Sequence, residues 1–174
     1  MIKNTRSKNR MFTAKNESKM KKLVIVFFIL FLFQGCSWKE YFVISNQTKS
    51  DIIVEYEIEQ PKSRFAIFTD RSTIYKTTNS GDIDWNEVYE PSDQDSVSLS
   101  FKIILPPKKA LIIGHLSNDT YKKHDQYFIN GRSFNLKKLS IKKGTTTLQI
   151  TPENFDDYFV KKKGIIGLKI KETQ

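Results

Sequence analysis

Apolar and polar residues alternate in short runs through most of the chain after residue 40, which is the pattern of half-buried β-strands. Residues 51–59 show it best: the apolar row is Ile52, Val54, Tyr56 and Ile58, and the acidic row is Glu55, Glu57 and Glu59. Successive side chains of a strand point to opposite faces. The segment is therefore predicted to bury its apolar row and expose its glutamates, because a slip of one residue would exchange the two rows.

Residues 96–105 repeat the pattern, with Val97, Leu99 and Phe101 predicted to point inward and Ser98 and Ser100 outward. Shorter runs predict seven more strands, at residues 41–45, 65–69, 73–77, 110–116, 134–141, 146–151 and 165–171.

Turn signals separate these runs. Gly144 suits a left-handed turn position and predicts a hairpin over residues 139–150. Leu136 and Leu139 are out of phase for one regular strand, which predicts a bulge or break at Lys137-Lys138. Pro106-Pro107 must lie between strands, since proline cannot donate to a sheet ladder.

Only residues 84–89 and 152–159 favour helices, and both are short. In the second, Pro152 and Glu153 are suited to a first helical turn. Many short strands joined by turns predict a mainly β fold, namely an antiparallel β-sandwich or partly open barrel with one or two short helices.

The start of the chain has a different character. Met20-Lys21-Lys22 precedes an uninterrupted apolar run at residues 23–33, which is followed by Gln34-Gly35-Cys36-Ser37. A basic region, an apolar region and a small residue before a break form the plan of a secretory signal peptide. An eleven-residue helix would span about 16 Å, whereas a bilayer core is about 30 Å thick, so the run is short for a membrane span.

The segment Phe33-Gln34-Gly35-Cys36 resembles the lipobox of bacterial lipoproteins. The resemblance implies cleavage between Gly35 and Cys36, with the new N-terminal Cys36 carrying an S-diacylglycerol group and an N-acyl chain that anchor the protein in a membrane. Ser37, which is not a retention signal of that family, implies sorting to the outer membrane of a Gram-negative bacterium. Glu40 is the one acid just after Cys36, and this favours a domain that faces the periplasm. Two alternatives stay open: an uncleaved, unlipidated signal anchor, and a buried core segment with an ordinary thiol.

These features divide the chain into four parts. Residues 1–19 are a polar, basic extension that is expected to be disordered, and a start at Met20 would leave it untranslated. Residues 20–35 are the expected signal peptide, residues 36–40 the lipidated tether, and residues 41–174 a single β-rich domain.

Charge narrows the function classes. The chain of 174 residues has a formal net charge of +10, but residues 1–35 carry eight of its 29 bases and only one of its 19 acids. The rest is close to balanced, which argues against nucleic acid as a partner. A single cysteine excludes an intrachain disulfide and a multi-cysteine zinc site.

Catalytic and metal signals are weak. The sequence lacks a Gly-x-Ser-x-Gly elbow, so an envelope hydrolase with a dispersed site is the alternative rather than the expectation. Zinc could be bound by two histidines and two aspartates, but their spacing fits no motif: they are His115, Asp119, His124 and Asp125. Asp82, Asp84 and Asn86 match three positions of a calcium loop, whereas Glu87 and Asp93 depart from the rest of it. We predict no metal and no cofactor.

Aromatic residues are frequent, and four fall in expected loops: Trp85, Tyr89, Tyr121 and Tyr127. Exposed rings can stack on a sugar or a peptide, or they can simply pack onto the sheets. The sequence therefore favours a non-enzymatic binding or assembly module, held to a membrane through Cys36, with an envelope protein or glycan as its partner.

Overall fold

The computed structural model describes residues 37–60, 65–78, 80–89 and 99–172. Cys36, the cleavage position after Gly35 and the whole expected signal peptide lie outside these residues, as do Asp93 and residues 96–98. The described strands are β1 Lys39–Asn46, β2 Ile52–Ile58, β3 Phe68–Thr77, β4 Ile83–Tyr89, β5 Ser100–Leu105, β6 Lys109–Ser117, β7 Leu136–Lys143, β8 Thr146–Ile150, β9 Val160–Lys162 and β10 Ile165–Ile170.

Short helical turns complete the described elements. Single 3₁₀ turns lie at Ile129–Gly131 and Pro152–Asn154, and the second leads into the helix α1, Phe155–Tyr158. Pro152 and Glu153 lie in the 3₁₀ turn before α1, where Thr151 and Asn154 form a capping box, as suits the helix predicted over residues 152–159. None of the helices in the described residues has the length and apolarity needed to cross a membrane.

The strands form two sheets, which confirms the mainly β, sandwich-type prediction. The six-stranded sheet has the order β4-β3-β6-β1-β10-β9, and the four-stranded sheet has the order β5-β2-β7-β8. The pairs are antiparallel, as expected of such a sandwich, apart from β1 and β10, which run parallel. A parallel partner is possible here because a long stretch of chain, residues 47–164, separates the two strands.

The core lies between the sheets, and β2 shows how the pattern produces it. Ile52, Val54, Tyr56 and Ile58 are buried, as predicted. On the opposite face the Glu55 carboxylate pairs with Lys142 at 2.7 Å, and Glu57 pairs with Lys137, so the acidic row is solvated and compensated. The register of β2 is confirmed.

The neighbouring strands confirm two further predictions and correct one. Lys137 is the extra residue of a bulge, because Glu57 pairs with Lys138 while Ile58 pairs with Leu136. Gly144, at φ 56°, lies in the turn of the β7–β8 hairpin. Leu99, predicted to face the core, is 39% exposed because it precedes β5 at the margin of the sheet, whereas Phe101 is buried as expected.

The helix predicted over residues 84–89 is wrong, since this segment is strand β4. A tight turn with Gly81 at φ 78° brings Ile83 opposite Thr77, so both ends of the segment pair with β3. Pairing then jumps from Tyr75–Val88 to Lys76–Asp84, and the three residues 85–87 bulge out of the ladder. This bulge positions Trp85 over the outer face of the six-stranded sheet, where its ring centroid lies 5.0 Å from that of Tyr41.

Candidate binding groove

A groove of about 670 Å³ lies on the outer face of the six-stranded sheet. Its floor is formed by β1 and β10, through side chains such as Val43 and Ile165 and the bare backbone of Gly167. Ile83 and Trp85 form one wall, and Tyr158 and Val160 lie at the opposite side. The groove is therefore an apolar trough bordered by β4 on one side and by α1 and the edge strand β9 on the other.

Gly167 gives the floor its depth. A Cβ built at this position would meet the Ile165 Cγ2 atom at 3.4 Å and the Val43 carbonyl oxygen at 4.0 Å, so a side chain fits there without a backbone clash. Gly114 of β6 is different, because its Cβ would lie 2.5 Å from the Ile67 carbonyl oxygen. Gly167 is thus a position at which the groove can be filled while the sheet is kept.

The rim of the groove is basic. It is lined by Lys162, Lys163, Lys169 and Lys171, and Asp82 is the one acid among the described residues of the lining. Lys169 lies 3.9 Å from Asp82, a separation at which an exposed pair contributes little. A ligand with acidic groups would therefore be attracted to this rim.

Trp85, Tyr89 and Tyr127 are exposed, as expected of candidate binding aromatics. Trp85 is 47% exposed and contacts the groove. Tyr89 is 50% exposed, with the Lys109 ammonium 4.9 Å from its ring centroid. Tyr127 is 89% exposed but lies in a separate depression with Trp38 and Ile129. Trp85 is the one of these three that lies in the groove.

Tyr121, the fourth candidate binding aromatic, is buried, so its ring packs in the core instead of being exposed to a ligand. Its ring packs edge-on against Phe42, and its hydroxyl donates a hydrogen bond to the Asp156 carboxylate. Burial first, and then the bond to Asp156, raises the pKa of the Tyr121 hydroxyl well above its usual range. Tyr121 is a core residue, and stacking on a ligand is closed to it.

A histidine, a carboxylate and a hydroxyl meet at this point. The His124 Nδ1 atom lies 3.0 Å from Asp156 Oδ2, and the His124 backbone N–H donates to the same oxygen at 3.1 Å. Burial would raise the pKa of Asp156, but the hydrogen bonds from Tyr121 and His124 outweigh it and lower that pKa. A hydroxyl that stays protonated is a poor nucleophile, and none of the three residues lines the groove.

The four zinc candidates each take part in a different contact. Asp119 accepts hydrogen bonds from the backbone N–H groups of Thr120 and Ile129, and Asp125 forms an ion pair with Lys123 at 3.0 Å. The His115 ring lies near Tyr41, and burial, with the charges of Lys39 and Arg132, lowers the pKa of His115. In the part of the chain that the structure describes, no three His, Cys, Asp or Glu side chains are placed to share a metal ion.

The calcium-loop hypothesis does not fit the backbone. Asp82 ends the turn before β4, while Asp84 and Asn86 belong to the strand itself. The Asp84 carboxylate accepts the Asn86 backbone N–H at 3.1 Å, a local contact rather than a loop around an ion.

Sequence reasoning missed Tyr158 and Val160. Tyr158 was placed in the predicted helix without a role, and β9 was not predicted at all. Three residues cannot show a convincing period of two, so only the pairing with β10 identifies this edge strand, in which Val160 is 68% exposed. Known proteins add no further site residue: no family model, no curated protein and no solved structure matches the chain.

Proposed function

We propose that the protein is an envelope lipoprotein, held through lipid on Cys36 in the outer membrane and facing the periplasm, whose sandwich is a non-enzymatic binding module. The lipobox-like Phe33-Gln34-Gly35-Cys36 supports the anchor. The groove on the six-stranded sheet supports the binding role, and it is the observation on which that role depends.

The ligand that suits this groove is an extended peptide segment of an envelope protein. Among the described strands β9 pairs with β10 alone, so its other side is a free sheet edge, and its residues Val160 and Lys162 also line the groove. An extended peptide can add to such an edge through backbone hydrogen bonds, while alternate side chains enter the adjoining pocket. Here the pocket floor is apolar and the rim carries Lys162 and Lys163, which favours a peptide that alternates apolar and acidic residues.

The rival functions are less well supported. A glycan ligand would use the exposed ring of Trp85, but this ring already packs against Tyr41 and Tyr75. An envelope hydrolase would use His124 and Asp156, whose bonding capacity is directed to Tyr121 and to the backbone.

The test is to fill the groove and measure capture of the partner. Full-length wild-type protein and the variant Gly167→Leu would be used as baits on solubilised envelope membranes, with recovered proteins quantified by mass spectrometry. Filling the floor should reduce recovery of the partner by about tenfold or more, equivalent to a loss of about 1.4 kcal/mol. The matched control is Gln149→Leu, which adds the same side chain to the exposed strand β8 of the other sheet and should leave recovery unchanged.

A second variant, Lys169→Glu with Lys171→Glu, reverses the charge of two lysines that line the groove and tests the charge of the ligand. It should weaken capture of an acidic segment and make the remaining capture less sensitive to salt. Recovery that is equal for wild type, Gly167→Leu and Gln149→Leu would contradict the groove as the binding site, and recovery of sugar chains instead of protein would favour the glycan alternative.

A further inference from the structure

One end of the sandwich gathers exposed aromatic and basic side chains beside the start of β1. We call it the Trp38 end and define it by Trp38, Lys39, the loop at residues 118–131 and the turn at residues 162–164. The Trp38 N–H donates to Asn118 Oδ1 at 3.2 Å, and the Asn118 N–H donates to the Trp38 carbonyl at 3.0 Å. The Tyr41 N–H donates to the Gly164 carbonyl at 2.9 Å and holds the turn at the same end.

Three large apolar side chains of the Trp38 end are exposed together. Trp38, Tyr127 and Ile129 line one depression, and Tyr127 is the most exposed large hydrophobic residue described. Trp38 and Ile129 are each about half exposed. Aromatic residues with a polar edge and an apolar body are the side chains that collect at a membrane–water interface.

The charge of the Trp38 end is positive. Its exposed lysines are Lys39, Lys122, Lys123, Lys162 and Lys163. Its two acids are already engaged, since Asp125 pairs with Lys123 at 3.0 Å and Asp119 is buried against backbone N–H groups. Lysines around exposed aromatics complement the phosphates of an anionic lipid surface.

The opposite end of the molecule provides a contrast. β1 runs from Lys39 to Asn46, so its two ends lie about 23 Å apart at roughly 3.3 Å per residue. The β7–β8 turn with Thr145 lies beyond the Asn46 end: Lys143 pairs with Glu172, whose carboxylate accepts the Lys49 backbone N–H at 2.8 Å. Thr145 is exposed there.

We propose that the Trp38 end rests on the lipid bilayer, with Trp38, Tyr127 and Ile129 in the interfacial layer and the lysines against lipid phosphates. The proposal rests on the proposed lipidation of Cys36. Two residues of chain reach at most about 7 Å, so a lipidated Cys36 would hold Trp38 within the headgroup region. The anchor and the exposed surface thus specify the same orientation of the sandwich.

The experiment uses the single cysteine of the chain. Once Cys36 carries lipid, a cysteine introduced elsewhere is the only free thiol and takes a maleimide of the environment-sensitive dye NBD. Full-length Tyr127→Cys and Thr145→Cys are expressed in a bacterium that processes lipoproteins, extracted, labelled and reconstituted in vesicles containing anionic phospholipid. Both substituted positions are exposed, so neither change should disturb folding.

We expect the dye at position 127 to shift to the blue, gain several-fold in emission and resist reduction by dithionite, while the dye at position 145 reacts as in water. Equal behaviour of the two dyes on acylated protein, either both shielded or both accessible, would overturn the orientation and leave the lipoprotein proposal standing. The mass of the N-terminal peptide separates the two proposals, because a chain without acyl groups on Cys36 would overturn both.

Discussion

Asn135 is a neutral polar residue buried between the two sheets. Its Oδ1 accepts the Phe68 N–H at 2.9 Å, and its Nδ2 donates to the Phe68 carbonyl at 3.0 Å and to the Glu59 carbonyl at 3.3 Å. Asn46 has the same role between β1 and β5, where its Nδ2 donates to the Leu105 carbonyl at 2.8 Å. Asn46 therefore links β1 to β5, and Asn135, which directly precedes β7, links the four-stranded sheet to β3.

Replacing Asn135 with alanine should be costly. The change leaves the buried Phe68 N–H without its acceptor, and an unsatisfied buried group costs about 1–3 kcal/mol. We expect the free energy of unfolding, measured by urea titration, to fall by that amount with the urea dependence unchanged. The exposed Asn86→Ala is the control and should stay within about 0.5 kcal/mol of wild type. An Asn135→Ala protein as stable as this control would contradict the linking role.

Strands were predictable from the sequence where they are long enough to show a period of two and where one face is buried while the other is exposed to solvent. β2 meets both conditions, and its buried row was confirmed residue by residue. β4 does not meet the second condition, because most of its residues are exposed on both faces and its burial shows no alternation. What makes it a strand is the hairpin turn at Gly81, and the choice between helix and strand was therefore made outside residues 84–89.

The loop at residues 118–131 and the helix α1 are joined by one carboxylate. Asp156 accepts hydrogen bonds from the Tyr121 hydroxyl and the His124 backbone N–H, and these contacts lower its pKa. A folded-state pKa below the unfolded value of about 3.9 means that ionised Asp156 stabilises the fold above about pH 4. That stabilisation is lost as the pH falls through the lowered value.

Asp156→Asn should therefore destabilise the protein in a pH-dependent way. At pH 7 we expect the midpoint of thermal unfolding to fall by about 3 °C, because hydrogen bonds to a charge are stronger than those to a neutral amide. As the pH falls through this lowered pKa, wild-type Asp156 becomes protonated and resembles asparagine, so the difference should disappear. Asp157→Asn changes the neighbouring acid in the same first turn of α1 and controls for the helix dipole. A difference between wild type and Asp156→Asn that is constant with pH would contradict this assignment.

The groove forms only when distant parts of the chain fold together. Its lining comes from β1, β4, α1, β9 and β10, so its residues range from Val43 to Lys171. The sequence indicated Trp85, because it is an aromatic residue in a polar segment. It did not indicate the floor of the groove, because Gly167 has no side chain that contributes to a hydrophobic pattern. It could not foresee that the bulge at residues 85–87 would aim Trp85 across the sheet, since a bulge depends on the pairing with β3. The same holds for the Trp38 end, which unites residues from three separate parts of the chain.

The anchor is the prediction on which the location of the whole molecule depends. Cys36→Ser removes the thiol that would accept the diacylglycerol group, and the acyl chains are what hold such a protein on a membrane, at about 0.8 kcal/mol per buried CH₂. We expect the variant to remain as an uncleaved precursor held by residues 23–33 or to become a soluble product. The measurements are membrane fractionation with alkaline extraction and the mass of the N-terminal peptide, and Ser37→Ala, which keeps the thiol, is the control.

A Cys36→Ser protein found in the membrane at the processed mass with an acylated N-terminus would contradict the lipoprotein proposal. A wild-type protein that keeps its leader would favour the signal anchor instead, and the groove would then be displayed from a helix rather than from a lipid.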